Sequence, residues 1–531
     1  MAKRPVFVRE ATGLVREISP FNAFVTTLQT TGLPTGVATM LPFVPFVWPG
    51  ADQALALVLV LPIMLVHSAM YVLLAWAMPR SGGDYVWTGR TLHPALGTSL
   101  SLTFVIYQVI FAGSFASFAI TYGVGSLSVA VAIATGNPGL VSYYSGIFTN
   151  TFWIAVFATL LIVYSTIVMI PGLRFYLRQQ LLFWVIGLVG TVIAIGLLVG
   201  VTPAQFATAF DKNLGSYKTY QGIIDLAASS GFSWKPSLAA TLSALSFAWL
   251  INNGYQFAGY YSGELKGVRN SMIASSMGNN LFCTLVYASF AFFFVSAVGN
   301  NWLHSIAFLA YGQPSSYNLP VSLNPYFFAG LLSNNLLVIV LVNFAIVAGA
   351  ITLISSVNTA VTRIMLAMSF DRVLPTKLAD VSDRFHTPVK AILLTNVGCW
   401  LGMMAALYYG FIFANLNYTL MYTIVLAIGG ITALVFPYRR KQLFEGSPVA
   451  RYKLGRIPLI SVLGVASFIL FAYLSYSAGL NPVVGGPVSV YALSALLLTF
   501  IGCGLLYFLA AAYHKRKGLD LTLTFREIPP E

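Results

Sequence analysis

The chain has 531 residues, of which 58% are hydrophobic and only 8% charged. Soluble domains carry roughly 25% charged residues, so the composition excludes a soluble protein. The formal net charge of +14 would suggest nucleic acid in a soluble chain, but here its placement in loops assigns it to membrane orientation and no nucleic-acid partner is expected.

Crossing a bilayer takes about 20 apolar residues per helix. On that rule the sequence predicts an all-α integral membrane protein of twelve spans. They lie near 20–48, 51–78, 97–130, 149–171, 178–201, 237–262, 272–299, 330–369, 387–410, 414–436, 458–480 and 487–513. Residues 1–19 form a polar N-terminal segment without the short apolar core of a cleaved presequence. With twelve spans, only Lys212, Lys218 and Lys235 of the 28 Lys and Arg residues fall opposite the termini. The positive-inside rule therefore predicts cytoplasmic N- and C-termini in a multi-pass plasma-membrane protein. It also makes 202–236 an extracellular loop, expected to hold a short surface helix, and 514–531 a cytoplasmic tail. Cys283, Cys399 and Cys503 lie in apolar spans at no ligand-like spacing, so no metal is expected.

The first span is interrupted at Gln29-Thr30-Thr31-Gly32-Leu33-Pro34-Thr35-Gly36. Two glycines and a proline within five residues do not continue a helix. Unpaired backbone groups in hydrocarbon cost several kcal/mol each, so such a break survives only beside a cavity or inside protein. Half-helix ends suit a small charged ligand; the alternative is a proline kink between packed helices. In span 2, His67 is the one ionisable candidate inside the membrane, either a neutral histidine donating to a backbone carbonyl or a proton relay. Tyr107, Gln108 and Phe111 of span 3 lie about three turns in from Gly97, near the depth of the break.

Span 6 is interrupted too, at Leu250-Ile251-Asn252-Asn253-Gly254-Tyr255-Gln256, where adjacent asparagines and a glycine are poor helix formers. Phe247, Trp249 and Tyr255 could wall or gate the break. Interrupted helices at corresponding places in two halves point to a transporter with inverted repeats. Residues 20–201 (spans 1–5) and 237–436 (spans 6–10) would be the repeats, and 437–513 adds a basic cytoplasmic loop and two helices. Span 8 carries Thr352, Ser355, Ser356 and Thr359 on one face. Their hydroxyls could face span 1 carbonyls near Thr27–Thr31 and ligate Na+, or pack between helices and bond their own backbone. Glu264, at the cytoplasmic end of span 6, could be a proton site or pair with Arg16 or Arg363 to close an inner gate.

The turn after span 2 reads Met78-Pro79-Arg80-Ser81-Gly82-Gly83-Asp84-Tyr85-Val86-Trp87-Thr88-Gly89-Arg90, then His93-Pro94-Ala95-Leu96-Gly97. This resembles the corresponding loop of the amino acid–polyamine–organocation (APC) superfamily of permeases. Gly254 through Glu264-Leu265-Lys266-Gly267-Val268-Arg269-Asn270 is similar to the end of that family's sixth helix. Asn358-Thr359-Ala360-Val361-Thr362-Arg363 and Phe370-Asp371-Arg372-Val373-Leu374-Pro375 are similar to the end of its eighth. The resemblance implies a five-plus-five inverted-repeat (LeuT-like) fold and alternating-access transport of amino acids or related amines. It places the substrate against the backbone of helices 1 and 6, at Thr31, Gly32, Thr35, Gly36, Asn252, Asn253 and Gly254, with Tyr107, Gln108 and Phe247 nearby.

Three departures stand out. Pro34 replaces the first residue of the family's Gly-Ser/Thr-Gly, no proline follows Lys266, and Gly187 stands about where some proton-coupled members place a lysine. No acidic residue lies near a midplane, so a cationic side chain would depend on aromatic faces alone, and a neutral amino acid is the expected substrate. Na+ and H+ are the candidate coupling ions; no other cofactor and no obligatory protein partner are expected beyond membrane lipids. A carrier or exchanger for another small amine or organic acid, or a transporter-derived sensor, is the alternative. An enzyme is not expected, because the mid-membrane histidine has no acidic partner.

Overall fold

The computed structural model describes residues 18–410, 417–480 and 490–526. Arg16 lies outside the described residues. The first predicted span is two helices, α1 (Pro20–Thr31) and α2 (Leu33–Val47), meeting at Gly32. Ser19 caps α1 by accepting from the Asn22 amide, and Pro20 occupies the first turn, where its missing N–H costs nothing. Gly32 ends α1 in the left-handed region (φ +58°), a conformation other residues adopt at a cost.

The chain continues through α3 (Gln53–Ala77), the short α4 (Asp84–Thr91) and α5 (Pro94–Phe118). One π-helical stretch joins α5 to α6 (Ser126–Ala134). Then come α7 (Pro138–Thr149), α8 (Thr151–Met169) and α9 (Leu173–Leu198). The 202–236 loop holds two helices, α10 (Pro203–Leu214) and α11 (Tyr220–Ser229), where one was expected. A Thr202–Gln205 capping box starts the first of them. After α12 (Leu238–Ser243), α13 (Leu245–Asn252) stops ten residues short of the predicted end of span 6. Next are α14 (Val268–Met272), continuous through a π turn with α15 (Asn279–Val298), then α16 (Asn300–Ala307) and α17 (Pro325–Gly330).

Helix α18 (Leu336–Phe370) begins later than predicted because the Asn335 side chain accepts from the Leu337 and Val338 amides and fixes the start there. It is followed by α19 (Val389–Tyr409), α20 (Tyr418–Arg439) and α21 (Lys441–Glu445). A two-stranded hairpin, β1 (Lys453–Leu454) with β2 (Ile457–Pro458), precedes α22 (Leu459–Leu480), α23 (Val490–Arg516) and α24 (Leu521–Thr524). Among the described residues ten helices are long and apolar enough to cross a membrane, and they match predicted spans 2–5 and 7–12. The other two predicted spans are the interrupted ones.

Helix α18 runs through the middle, packed on α1, α2, α5, α9 and α19. Apolar side chains on the periphery stay exposed, among them Leu160, Leu285, Leu337 and Leu498, as a lipid-facing surface requires. Between helices the close contacts fall at small residues, because lipid supplies no hydrophobic drive and packing must hold the bundle. At the α20–α22 crossing a Cβ on Gly430 would lie 2.7 Å from the Phe468 nitrogen, and one on Gly464 2.6 Å from the Leu434 nitrogen. Gly430→Leu should therefore destabilise the fold by about 1–3 kcal/mol, read as a lower melting temperature in detergent. Gly502→Leu, with open space around the glycine, should leave the melting temperature unchanged.

Candidate functional site

A helix start leaves its first amides without an intrahelical acceptor. In α2 these belong to Leu33 and Thr35, since Pro34 has none to offer. The Gly32 carbonyl is occupied, taking the Thr35 hydroxyl at 2.5 Å and the Gly36 amide at 2.9 Å. The Pro34 ring lies against two glycines: a Cβ on Gly349 of α18 would be 2.8 Å from it, and one on Gly187 of α9 3.2 Å. The departures at positions 34 and 187 are thus one feature, a ring seated where a side chain on α9 would otherwise reach.

The second break lies on the first. Gly254 has φ +137°, and a Cβ there would fall 2.5 Å from the Thr31 hydroxyl and 2.9 Å from its amide nitrogen. The asparagine side chains tie off the end of α13: Asn252 donates to the Ala248 carbonyl at 3.0 Å and Asn253 to the Leu250 carbonyl at 2.6 Å. The Asn252 side-chain oxygen is left without a partner in a fully buried position. From α15, Tyr287 donates to the Thr31 carbonyl (3.4 Å) and Asn279 to its hydroxyl (3.4 Å), while the Tyr287 hydroxyl fills the space beside Gly36. Gln256 accepts from the Gly254 amide at 3.3 Å and donates to the Tyr422 hydroxyl.

The structure brings together Thr31, Gly32, Thr35, Gly36, Asn252, Asn253 and Gly254. Gln108 is fully buried with neither amide atom hydrogen-bonded, facing the Tyr418 hydroxyl. Phe111 stacks on Tyr418 at 4.2 Å, and Tyr107 is only half-buried, about 100° round the helix from Gln108. Phe247 sits apart from the breaks, against Phe43 and Trp48 at the far end of α2. Sequence reasoning missed Asn279, Tyr287 and Tyr422, and took Gln256 only as part of the second break. The Asn279-Asn280 doublet inside an apolar span was the one available signal; a tyrosine in an aromatic-rich chain gives none.

The hydroxyl stripe on α18 is divided between neighbours. Ser356 donates to the Thr26 carbonyl at 3.0 Å and lies 2.6 Å from the Thr30 hydroxyl, latching α1 to α18. Ser355 faces Ser165 of α8 at 3.1 Å, and Thr352 and Thr359 bond carbonyls of their own helix. His67 pairs through Nδ1 with the Tyr255 hydroxyl (3.0 Å) rather than with a backbone carbonyl, between the rings of Tyr71 and Phe471.

Toward the face bearing the Arg- and Lys-rich loops, the structure is held shut by polar contacts. Glu264 accepts from Arg363 through both oxygens, at 2.8 and 3.1 Å, with both side chains buried. Ile18, ahead of α1, pairs with the backbone of Glu264 and Lys266. Arg90 pairs with Asp371 at 2.6 Å and lies over the Phe525 ring at 4.8 Å. The 78–90 loop clasps the segment after the second break: the Gly82 amide donates to the Tyr260 carbonyl at 2.8 Å, and Ser262 to the Arg80 carbonyl at 3.0 Å. Asp84 in this loop accepts from Tyr71 and Tyr260. Burial pushes its pKa up to about 6, outweighing those two hydrogen bonds.

Helices interrupted at two touching points inside a bundle of apolar spans define a multi-pass membrane protein built around an internal polar centre. The chain matches the family model described as amino acid permease over residues 19–503; it belongs to that family, whose members are permeases that carry amino acids through membranes. No curated protein matches the chain. Removing one partner of a buried ion pair leaves the other charge uncompensated, at about 3–5 kcal/mol. Glu264→Gln should accordingly lower the melting temperature more than Lys390→Gln, whose partner Asp380 and own side chain are both exposed.

Proposed function

We propose that this chain is a secondary active carrier that moves neutral amino acids across the plasma membrane by alternating access. The ten uninterrupted spans and the two broken ones make twelve, arranged as five-plus-five inverted repeats with two added helices and cytoplasmic termini. The observation that carries the reading is the contact of Gly254 with Thr31. It puts the first amides of α2 and the non-helical backbone after Asn252 on the same small volume. A substrate carboxylate fits the amide end of a half-helix, and its ammonium fits carbonyls and side-chain oxygens of the other break. The side chains gathered there, Thr31, Thr35, Asn252, Asn253, Gln256, Asn279, Tyr287 and Tyr422, are all uncharged, which favours a neutral substrate.

The test is thermal stabilisation of the purified protein by each of the twenty amino acids, at pH 5.5 and 7.5 with and without Na+, followed by uptake into proteoliposomes. Ligand at about 100 times its Kd adds roughly 2.7 kcal/mol. A few neutral amino acids should raise the melting temperature and be taken up, and a shift confined to cationic or acidic ones would overturn the substrate assignment. Gly36→Val, which displaces the Tyr287 hydroxyl, and Asn253→Leu should each abolish the shift while the protein remains folded. Undiminished affinity in either variant would remove the two breaks as the binding site.

A further inference from the structure

We propose that Asp84 is the proton-binding site of this carrier in mildly acid surroundings: there its carboxyl takes up a proton when the 253–264 segment docks on the 78–90 loop, and releases it to water when that segment swings away. The inference rests on the carrier reading and adds a coupling group to it. Asp84 is 4% exposed. Its Oδ1 accepts from Tyr71 at 2.7 Å, and its Oδ2 from Tyr71 at 2.6 Å and from Tyr260 at 3.0 Å. Tyr71 belongs to the uninterrupted α3, whereas Tyr260 belongs to the segment freed by the second break. The carboxyl therefore bridges a fixed helix and the part of the chain best placed to move. Gly82 (φ +104°) and Gly83 (φ +48°) let the loop backbone come this close; a Cβ on Gly83 would lie 2.5 Å from the Tyr260 ring.

The groups around Asp84 are nearly all uncharged. From α3 come Tyr71 and, tilted against it at 4.5 Å, His67. From the 253–264 segment come Tyr260 and Tyr255, and from α20 Tyr422 and Gly429. On α4, Arg90 is committed to Asp371. Among the described residues no lysine or arginine pairs with the Asp84 carboxylate. A buried carboxylate without a counter-charge is costly, and protonation removes the cost.

Docked, the group titrates near 6; undocked and hydrated, it returns toward the ordinary 3.8. Between those values the docked form holds more protons, so falling pH favours docking and rising pH releases it. The ratio of docked to undocked protein should increase about tenfold from pH 7.5 to 5.0. A hub that keeps both tyrosines in every state of the protein has no undocked form to hydrate and predicts no such dependence.

The experiment uses the full chain in proteoliposomes with Ser262→Cys as a reporter, labelled by an impermeant methanethiosulfonate reagent on the side of the basic loops. Labelling rates are compared with those in a second protein that also carries Asp84→Asn, so the pH dependence of the thiolate itself cancels in the ratio. That ratio should rise about tenfold from pH 5.0 to 7.5, and a flat ratio overturns the proposal. Tyr260→Phe, tested alongside in the same reporter, removes a donor that favours the ionised carboxyl and should move the midpoint to higher pH. An unmoved midpoint overturns the proposal even if Asp84→Asn fails to fold. Uptake lost with the ratio intact would sink the carrier reading alone; uptake retained with a flat ratio would sink the proton site alone.

Discussion

Backbone groups released by a broken helix must find partners inside the protein, since hydrocarbon offers none. Where Gly254 lies against Thr31, groups from both breaks find such partners. Thr31 ends α1, and its carbonyl and hydroxyl are taken up by Tyr287 and Asn279 of α15. Gly254 follows α13, and its amide is taken by Gln256, which in turn reaches Tyr422 of α20. Two interruptions that would each be expensive alone are stabilised by lying against one another and by borrowing polar groups from two uninterrupted helices. Only glycine fits at 254, because any side chain would separate the two strands of backbone.

The same economy explains Pro34. A proline at the start of a helix is tolerated for its fixed φ and its missing N–H, but its ring still needs room. Gly187 on α9 and Gly349 on α18 supply that room, on the two helices that flank the break. The absence of a lysine at position 187 is then a packing consequence of Pro34 as much as a chemical choice. With that position closed to a charged side chain, a proton-coupled carrier of this sequence must place its titrating group elsewhere; of the two buried carboxyls at the segment after the second break, Glu264 is paired with Arg363 and Asp84 is held only by tyrosine hydroxyls.

The apolar runs made the spans legible, because twenty-residue lengths and loop charges are properties of the sequence itself. The two breaks were legible for the same reason: Gly, Pro and paired Asn are local signals. Two boundaries were not. Span 8 starts at Leu336 because of an Asn335 cap, and α13 ends at Asn252 because the asparagine side chains bond back to its own carbonyls. Partners across helices were less legible still. Glu264 had two candidate cations and the structure gives Arg363; the serines of α18 shared a face by periodicity, yet Ser356 reaches α1 while Ser355 reaches α8. Asp84 was hidden differently, inside a recognisable loop motif that carries no local signal of burial. Its environment is made by Tyr71 and Tyr260, which are thirteen and 176 residues away in sequence.

The two ends of the bundle are closed by different chemistry. On the basic face the closure is polar: the pairs Glu264–Arg363 and Arg90–Asp371, the Ile18 backbone bridge and the Asp84 tyrosines. At the other end of α2 the contacts are rings, with Phe43 against Phe247 and Tyr311, and Trp48 against Phe247. Opening the polar end exchanges protein partners for water, and hydrated ion pairs are worth only about 0–1 kcal/mol, so the charges are not stranded. Opening the aromatic end exposes apolar area at roughly 25 cal/mol per Å² and gains nothing polar in return. A ligand or proton that acts on charge can therefore bias the first closure while leaving the second untouched, which is the asymmetry a carrier needs if its two faces are to open in turn.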